Sequence, residues 1–148
     1  MKIRSMMIGL GLALAAPAAS AVTVNTAGSV CQPVFPEDVE TTYYIDGAVG
    51  TFLHSDVECA VPRATGGIQM TVSFDLLHTG TQTTACTIVV YDRDGSPFTA
   101  MNVTKTGSGW QRGSATFSAA QNPAWGYTSV YCSLPNPSVR LIGVVAAY

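Results

Sequence analysis

The sequence predicts an antiparallel β-sandwich, jelly-roll-like or immunoglobulin-like, with about nine strands. The first observation is the strict alternation of apolar and polar residues from Ile68 to Leu76. Because successive side chains of a strand point to opposite faces, this segment places one face on a core and the other toward water. The second is the short, regular spacing of β-type segments between turn signals. The third is that cysteines fall on the apolar faces of several segments, which predicts a disulfide-braced core.

Residues 1–21 have the features of a secretory signal peptide. A positively charged start is followed by an apolar run over 6–16 and by Ala19-Ser20-Ala21, which fits the small-x-small cleavage rule. The apolar run is shorter than the roughly 20 residues of a membrane-spanning helix. We therefore expect residues 22–148 to form a single β-sandwich domain that is exported, to the periplasm or outside the cell, and that has no membrane span.

The mature chain begins with a weakly specified arm, Val22-Thr23-Val24. Further on, Asp46-Gly47 separates two β-type segments, 41–45 and 48–53, and an Asp-Gly pair between such segments is a strong hairpin signal. The next segment places Val57, Cys59 and Val61 on one face, and Pro62 ends its pairing.

After the Ile68–Leu76 strand, polar and glycine-rich segments predict three turns, at 78–83, 92–95 and 105–109. The further predicted strands are 84–91, 97–104, 110–118, 127–134 and 139–148. No segment of the mature chain has a convincing helical period.

Charge limits the class of partner. Two basic residues lie in the leader, which leaves five basic and nine acidic residues in the mature chain and a formal charge of −4. The basic residues are scattered, whereas a phosphate-binding surface needs clustered Lys and Arg, so a nucleic acid partner is excluded. The solvent-exposed faces must then consist mainly of Thr, Ser, Asn, Gln and Gly.

All four cysteines lie in the mature chain: Cys31, Cys59, Cys86 and Cys132. An even number behind a signal peptide indicates two disulfides, whereas a zinc site would draw its ligands from closely spaced pairs. Of the three possible connectivities we favour Cys31–Cys59 and Cys86–Cys132. The second pair lies in two strongly alternating strands, and the first would anchor a proline-rich arm to a strand end.

Two motifs that suggest chemistry do not meet its requirements. Asp92-Arg93-Asp94-Gly95-Ser96 begins like a calcium loop, but its glycine is misplaced and a strand precedes it, so we interpret it as a hairpin turn. His54-Ser55-Asp56 contains the residue types of a hydrolase triad, but adjacent residues of an extended chain point opposite ways. His78, the second histidine, has no metal-binding partner motif. We therefore assign no catalytic residue, metal or cofactor, and none to the Asn102-Val103-Thr104 sequon.

Four aromatic residues late in the chain are the candidate ligand-binding residues: Trp110, Trp125, Tyr127 and Tyr131. Tyr131 lies on the face opposite Cys132, which predicts an outward orientation. Exposed aromatic rings on a β-sandwich could stack on sugar rings. Since large aromatic side chains are usually mostly buried, however, we expect one or both tryptophans to belong to the core or to anchor a loop.

Two segments carry a resemblance to known proteins: Gly47–Arg63, which ends in Val57-Glu58-Cys59-Ala60-Val61-Pro62-Arg63, and Tyr127–Pro135, which includes Tyr131-Cys132-Ser133-Leu134-Pro135. They resemble small exported four-cysteine β-sandwich proteins of Gram-negative bacteria that have no assigned function. The resemblance implies a fold and its disulfides, and it implies no chemistry.

Four hypotheses of function follow from these observations. The leading hypothesis is an exported, non-enzymatic binding or structural module of unknown ligand, with a carbohydrate or another protein as the candidate partner. One alternative is a glycan-binding module that uses the four aromatic residues, and another is a subunit whose arm (Val22-Thr23-Val24) adds a strand to a neighbour's sheet. A hydrolase or metal enzyme built on the two histidines ranks last.

Overall fold

The computed structural model describes residues 22–34, 41–43, 49–51, 55–62 and 66–148. Within these ranges the chain forms nine strands and two short 3-10 turns, Gly28–Val30 and Ala119–Gln121. The strands are β1 (Thr23–Ala27), β2 (Gln32–Pro33), β3 (Thr41–Tyr43), β4 (Val49–Thr51), β5 (Ser55–Val61), β6 (Met70–Tyr91), β7 (Pro97–Phe117), β8 (Tyr127–Leu134) and β9 (Val139–Ala147). The predicted antiparallel β-sandwich is confirmed. The signal-peptide prediction concerns residues 1–21, which lie outside the described residues.

One long hairpin, β6–β7, contributes to both layers of the sandwich. The first part of β6, up to His78, pairs with β9, and the second part, from Ala85, pairs with β8. We call the two layers the β9 sheet, which also includes β1, β4 and β3, and the β8 sheet, which also includes β5 and β2. Strands β5 and β8 contact β9 without pairing with it, so the two layers face each other across a single hydrophobic core.

The alternation that begins at Ile68 defines the two faces of the β9 sheet. Met70, Val72, Phe74 and Leu76 are fully buried, while the polar residues between them are partly exposed. The prediction was wrong at Ile68, which is 40% exposed and precedes β6. The reason is a nearby loop: the Asn122 side-chain amide donates to the Ile68 carbonyl (2.8 Å), and Gly67 N–H donates to the Asn122 carbonyl (2.6 Å).

Two predicted turns, 78–83 and 105–109, are wrong. Both segments are β-structure, and they face each other where the long hairpin passes from one sheet to the other. His78 pairs with Gly109 and Gln82 with Gly107, so the intervening residues form an irregularity in the ladder. Gly107 and Gly109 have φ values of 145° and 74°, which residues with a side chain rarely adopt. The glycines therefore shape a bulge.

His78 holds this bulge in place. Its side chain is buried, its Nδ1 bonds to the Gly107 carbonyl (2.9 Å), and its Nε2 bonds to the Thr84 hydroxyl (3.1 Å). Both ring nitrogens are thus occupied by the strands that meet at the bulge. The histidine has a structural explanation and no free nitrogen for chemistry.

The two predicted hairpins are present. At Asp92–Ser96 the Asp92 carboxylate accepts the Ser96 N–H (3.0 Å) and Gly95 has a φ of 87°, as expected of a tight turn and not of a calcium loop. Strands β3 and β4 pair in an antiparallel hairpin, with Tyr43 opposite Val49. Its Asp46-Gly47 turn lies outside the described residues.

The predicted disulfide pairing is confirmed. Cys31 bonds to Cys59, and Cys86 bonds to Cys132, which is its register partner on β8. All four are buried on the inner side of the β8 sheet. Since every cysteine has a disulfide partner, none is available as a zinc ligand.

The N-terminal arm is β1, and it pairs with β9 of its own chain. The Tyr148 N–H also donates to the Val22 carbonyl (3.0 Å). The arm therefore adds its strand to the sheet of its own chain. In the part of the chain that the structure covers, no helix has both the length and the apolar character to cross a membrane.

Candidate functional site

The four predicted aromatic residues are accessible to different degrees. Trp110, Trp125 and Tyr127 are 66%, 82% and 47% exposed, and Tyr131 is partly buried. The expectation that a tryptophan would belong to the core or anchor a loop was therefore wrong. Trp110 lies on the outer face of the β9 sheet. The residues that alternate with it along β7, Gln111 and Gly113, are more buried and belong to the opposite face. Tyr127 and Tyr131 lie on the outer face of the β8 sheet, with Trp125 in the loop before them.

The structure thus separates the four residues and adds one that the sequence analysis did not select. Tyr91, the last residue of β6, is the register partner of Tyr127. Their rings are stacked, with centroids 4.6 Å apart and planes 13° apart. Parallel rings at this separation form a favourable aromatic pair. The pair presents aromatic surface at the end of the β8 sheet nearest the Asp92–Ser96 turn.

Tyr131 joins this pair to an acidic residue on β5. Its hydroxyl donates to Glu58 Oε1 (2.9 Å), and Tyr91 and Tyr131 bond through their hydroxyl oxygens (2.8 Å). Because the single Tyr131 proton is engaged by Glu58, Tyr91 is the donor to Tyr131. Tyr91, Tyr127, Tyr131 and Glu58 form a connected group that we call the tyrosine cluster.

The burial of the residues beneath the cluster agrees with this geometry. Val89 and Ser129 face outward, as the alternation on β6 and β8 requires, yet they are only 9% and 3% exposed. They form one register pair between the Tyr91–Tyr127 pair and Tyr131. Tyr91 and Tyr131, which bond through their hydroxyls, lie on either side of this pair on the same face, and this position is consistent with its low exposure. The cluster is therefore a fixed surface feature and not a set of freely rotating side chains.

The environment keeps Tyr131 protonated. Partial burial raises the pKa of its hydroxyl, and the hydrogen bonds to Tyr91 and Glu58 and the Glu58 charge raise the pKa further. The phenol is thus a neutral hydrogen-bonding group at ordinary pH.

Two depressions flank the bond between Tyr131 and Glu58. One, of about 240 Å³, is lined by Val30, Gln32, Glu58 and Ala60. The other, of about 260 Å³, includes Asp56, Thr87, Tyr131 and Ser133 in its lining. Small side chains such as Ala60, Ala85 and Ser133 leave this space beside the much larger tyrosine.

Asp56 also lines the second depression. Its Oδ1 atom is buried and accepts no hydrogen bond from the described residues. In the sequence, Asp56 stood out only as part of His54-Ser55-Asp56. His54 lies outside the described residues.

Sequence reasoning missed Tyr91 and Glu58, and it did not place Asp56 beside a depression. Each of the three residues is adjacent in sequence to an inward-facing residue (Val90, Val57 or Cys59), so the alternation does predict that they point outward. The sequence does not show that β8 pairs with both β5 and β6, because register between distant segments is not a local property.

No protein-family model and no curated protein matches the chain. Solved structures do share its fold. A family 35 carbohydrate binding module from Clostridium thermocellum has a TM-score of 0.52 and 14% identity, over 84% of this chain and 97% of the module.

Larger proteins contain the same architecture. An isomalto-dextranase of Arthrobacter globiformis T6, solved with panose, has a TM-score of 0.53 and 13% identity over 84% of this chain, which spans 23% of that enzyme's chain. An infectious bursal disease virus structure (Gt strain) has a TM-score of 0.52 and 10% identity over 95% of this chain and 36% of the viral one. At such identities the similarity shows the fold alone.

Proposed function

We propose that this protein is an exported, non-enzymatic carbohydrate-binding module and that the tyrosine cluster is its ligand platform. The observation that carries the proposal is the stacked Tyr91–Tyr127 pair on an outer sheet face, linked by hydrogen bonds to Tyr131 and Glu58. The cluster is bordered by two depressions, so apolar, polar and concave surface meet in one place.

The chemistry of a sugar matches such a surface. A pyranose ring has an apolar C–H face that packs on an aromatic ring, and its rim of hydroxyls requires hydrogen-bond partners. Ligand sites generally combine apolar or aromatic contact area with a few fixed polar groups. Tyrosine supplies both at a low cost in conformational entropy, because it has few rotatable bonds. Here the hydrogen bonds of Tyr131 fix it before any ligand binds, which preserves affinity.

Two further observations support the proposal. The fold is shared with a family 35 carbohydrate binding module that the chain matches over nearly that module's full length. Both disulfides are of the kind that form and persist in oxidising compartments, which agrees with the signal peptide predicted at residues 1–21. Exported proteins meet the polysaccharides of cell walls and extracellular matrices.

The test is affinity electrophoresis of the mature chain in gels that contain soluble polysaccharides of different composition. We expect the wild type to be retarded by at least one of them, and Tyr127→Ala to lose most of that retardation. A loss of about 1–2 kcal/mol, or roughly five- to thirtyfold in affinity, is expected for the removal of an aromatic contact at the centre of a site.

Trp110→Ala is the matched control. It also removes an exposed aromatic side chain from an outer sheet face, but from the opposite sheet. Trp110→Ala is expected to leave the melting temperature nearly unchanged, because that ring is largely exposed. Tyr127→Ala is expected to lower it slightly, because the stacking contact with Tyr91 is lost. Absence of retardation by every polysaccharide, or retardation lost only with Trp110→Ala, would contradict the proposal.

A further inference from the structure

Resting on the proposed function, we infer that the glycan bound at the tyrosine cluster is a chain of several sugar units, which also covers Trp125 and Phe98. Among the exposed large apolar side chains of the described residues, Phe98, Trp125 and Tyr127 lie at the end of the β8 sheet that holds the Tyr91–Tyr127 pair. We call these three residues and Tyr91 the aromatic end. Single exposed apolar residues are ordinary, whereas a concentration of them marks a binding surface.

The register of the strands places the aromatic end next to the tyrosine cluster. Tyr91 pairs with Tyr127 on one side and with Pro97 on the other. Phe98 follows Pro97 and lies at an irregularity in the ladder between β6 and β7. Trp125 precedes Tyr127 by two residues, so the two Cα atoms are no more than about 7 Å apart. A ligand on the stacked pair therefore needs only to extend by a short distance to reach either residue.

The loop that carries Trp125 is held in place by hydrogen bonds. Asn122 is fully buried, and its side-chain amide donates to the Ile68 carbonyl (2.8 Å). Gly126 N–H donates to the Pro123 carbonyl (3.3 Å) and closes a turn with Trp125 at its third position. The backbone is thus fixed, while the indole is 82% exposed. Contacts among the described residues do not account for a tryptophan here, and a contact with a ligand does.

The aromatic surface is larger than one sugar ring. Phe98 and Tyr127 are two inter-strand spacings apart, or about 10 Å, and Tyr127 and Tyr131 are four residues apart on β8, or about 13 Å. Pyranose and phenol rings are both six-membered, so one sugar unit stacks on one aromatic side chain at a time. A ligand that contacts the whole surface must have several consecutive units.

Chain length should then determine affinity. Each further unit that covers Trp125 or Phe98 removes apolar surface from water and adds a stacking contact. The loop is already ordered, so this gain is not offset by the cost of ordering it. Affinity is expected to rise with the number of units until the aromatic end is covered, and then to stay constant.

The experiment starts from the polysaccharide that retards the mature chain most strongly in a panel of xylan, laminarin, mannan and dextran. The monosaccharide and hexasaccharide of that polymer are compared by isothermal titration calorimetry on the complete mature chain. A site for one unit would gain at most about sixfold from the six units of the hexasaccharide. We expect the hexasaccharide to bind at least about thirtyfold more tightly than the monosaccharide.

Trp125→Ala is the site variant. It is expected to weaken binding of the hexasaccharide about tenfold and to leave binding of the monosaccharide unchanged, since the monosaccharide occupies the tyrosine cluster alone. Phe98→Ala should also weaken binding of the hexasaccharide. Trp110→Ala is the matched control, because it removes another exposed indole, from the outer face of the β9 sheet, and it should change neither affinity.

The fluorescence of Trp125 gives a second readout that does not depend on an alanine variant. The chain has two tryptophans, so in Trp110→Phe the only one left is Trp125. An indole that passes from water to a covered position emits at shorter wavelength. We expect this shift at saturation with the hexasaccharide and none with the monosaccharide.

The outcomes separate this inference from the proposed function. A gain of less than thirtyfold, equal effects of Trp125→Ala and Trp110→Ala, or unchanged Trp125 emission at saturation with the hexasaccharide would overturn the inference. If Tyr127→Ala still abolishes binding in that case, the proposed function stands alone. If no polysaccharide of the panel retards the mature chain, both are wrong.

Discussion

Phe74 packs against a residue with no side chain. It is fully buried on β6, and its register partner on β7 is Gly113. A Cβ atom at position 113 would lie 2.1 Å from Phe74 Cζ, so the ring occupies the space that any other residue's side chain would need. The glycine therefore has a packing reason that does not depend on backbone conformation.

Substitution at two adjacent positions tests this part of the core. Phe74→Ala should lower the free energy of unfolding by about 3–5 kcal/mol, through lost burial and a cavity above Gly113. Ser73→Ala, on the outer face, should change it by roughly 0.5 kcal/mol or less. Denaturant melts of both variants measure the difference. Similar effects would mean that the strand is buried on both faces.

At the scale of elements, the β6–β7 hairpin determines how the two sheets are joined. Each of its strands serves both layers, and the change of layer coincides with the bulge around Gly107 and Gly109. The bulge depends on His78, which bonds to the Gly107 carbonyl and the Thr84 hydroxyl. We infer that this histidine stabilises the passage between the sheets.

His78→Ala should lower the free energy of unfolding by about 1–3 kcal/mol, because the buried Thr84 hydroxyl loses its hydrogen-bond partner. The cavity left by the imidazole ring should lower it further. Thr81→Ala, an exposed residue of the same bulge, is the control and should change stability by about 0.5 kcal/mol or less. Thermal or denaturant unfolding gives both values. If the His78→Ala variant were as stable as the control, the inference that this histidine stabilises the bulge would be wrong.

The sequence predicted the elements whose signal is local. Period-2 alternation identified the buried face of Met70–Leu76 and placed Cys59, Cys86 and Cys132 on inward faces. The disulfide pairing that we favoured among three possibilities is the one that the structure shows. The sequence-based prediction failed at 78–83 and 105–109. These segments are rich in glycine and threonine or serine, and a bulged strand can have the same composition as a turn. Two paired segments then look like four short strands separated by loops.

At the scale of the whole molecule, the fold determines which aromatic residues can act together. Trp110 and Tyr127 are close in sequence, yet they lie on the outer faces of opposite sheets. Tyr91 and Tyr131 are separated by 40 positions, and their hydroxyls are 2.8 Å apart. The sequence identified Tyr127 and Tyr131 as candidates by type and alternation. It could not assign Tyr91 and Glu58 to the same site, because that depends on which strands are neighbours.

The proposed function requires that a glycan binds on the outer face of the β8 sheet, at the tyrosine cluster. Nuclear magnetic resonance titration of the isotope-labelled mature chain with a polysaccharide fragment that binds locates the site residue by residue. We expect chemical-shift changes to concentrate at Tyr91, Tyr127 and Tyr131 and at their neighbours on β5. Changes centred on Trp110 and the outer face of the β9 sheet, with the tyrosines unaffected, would contradict it.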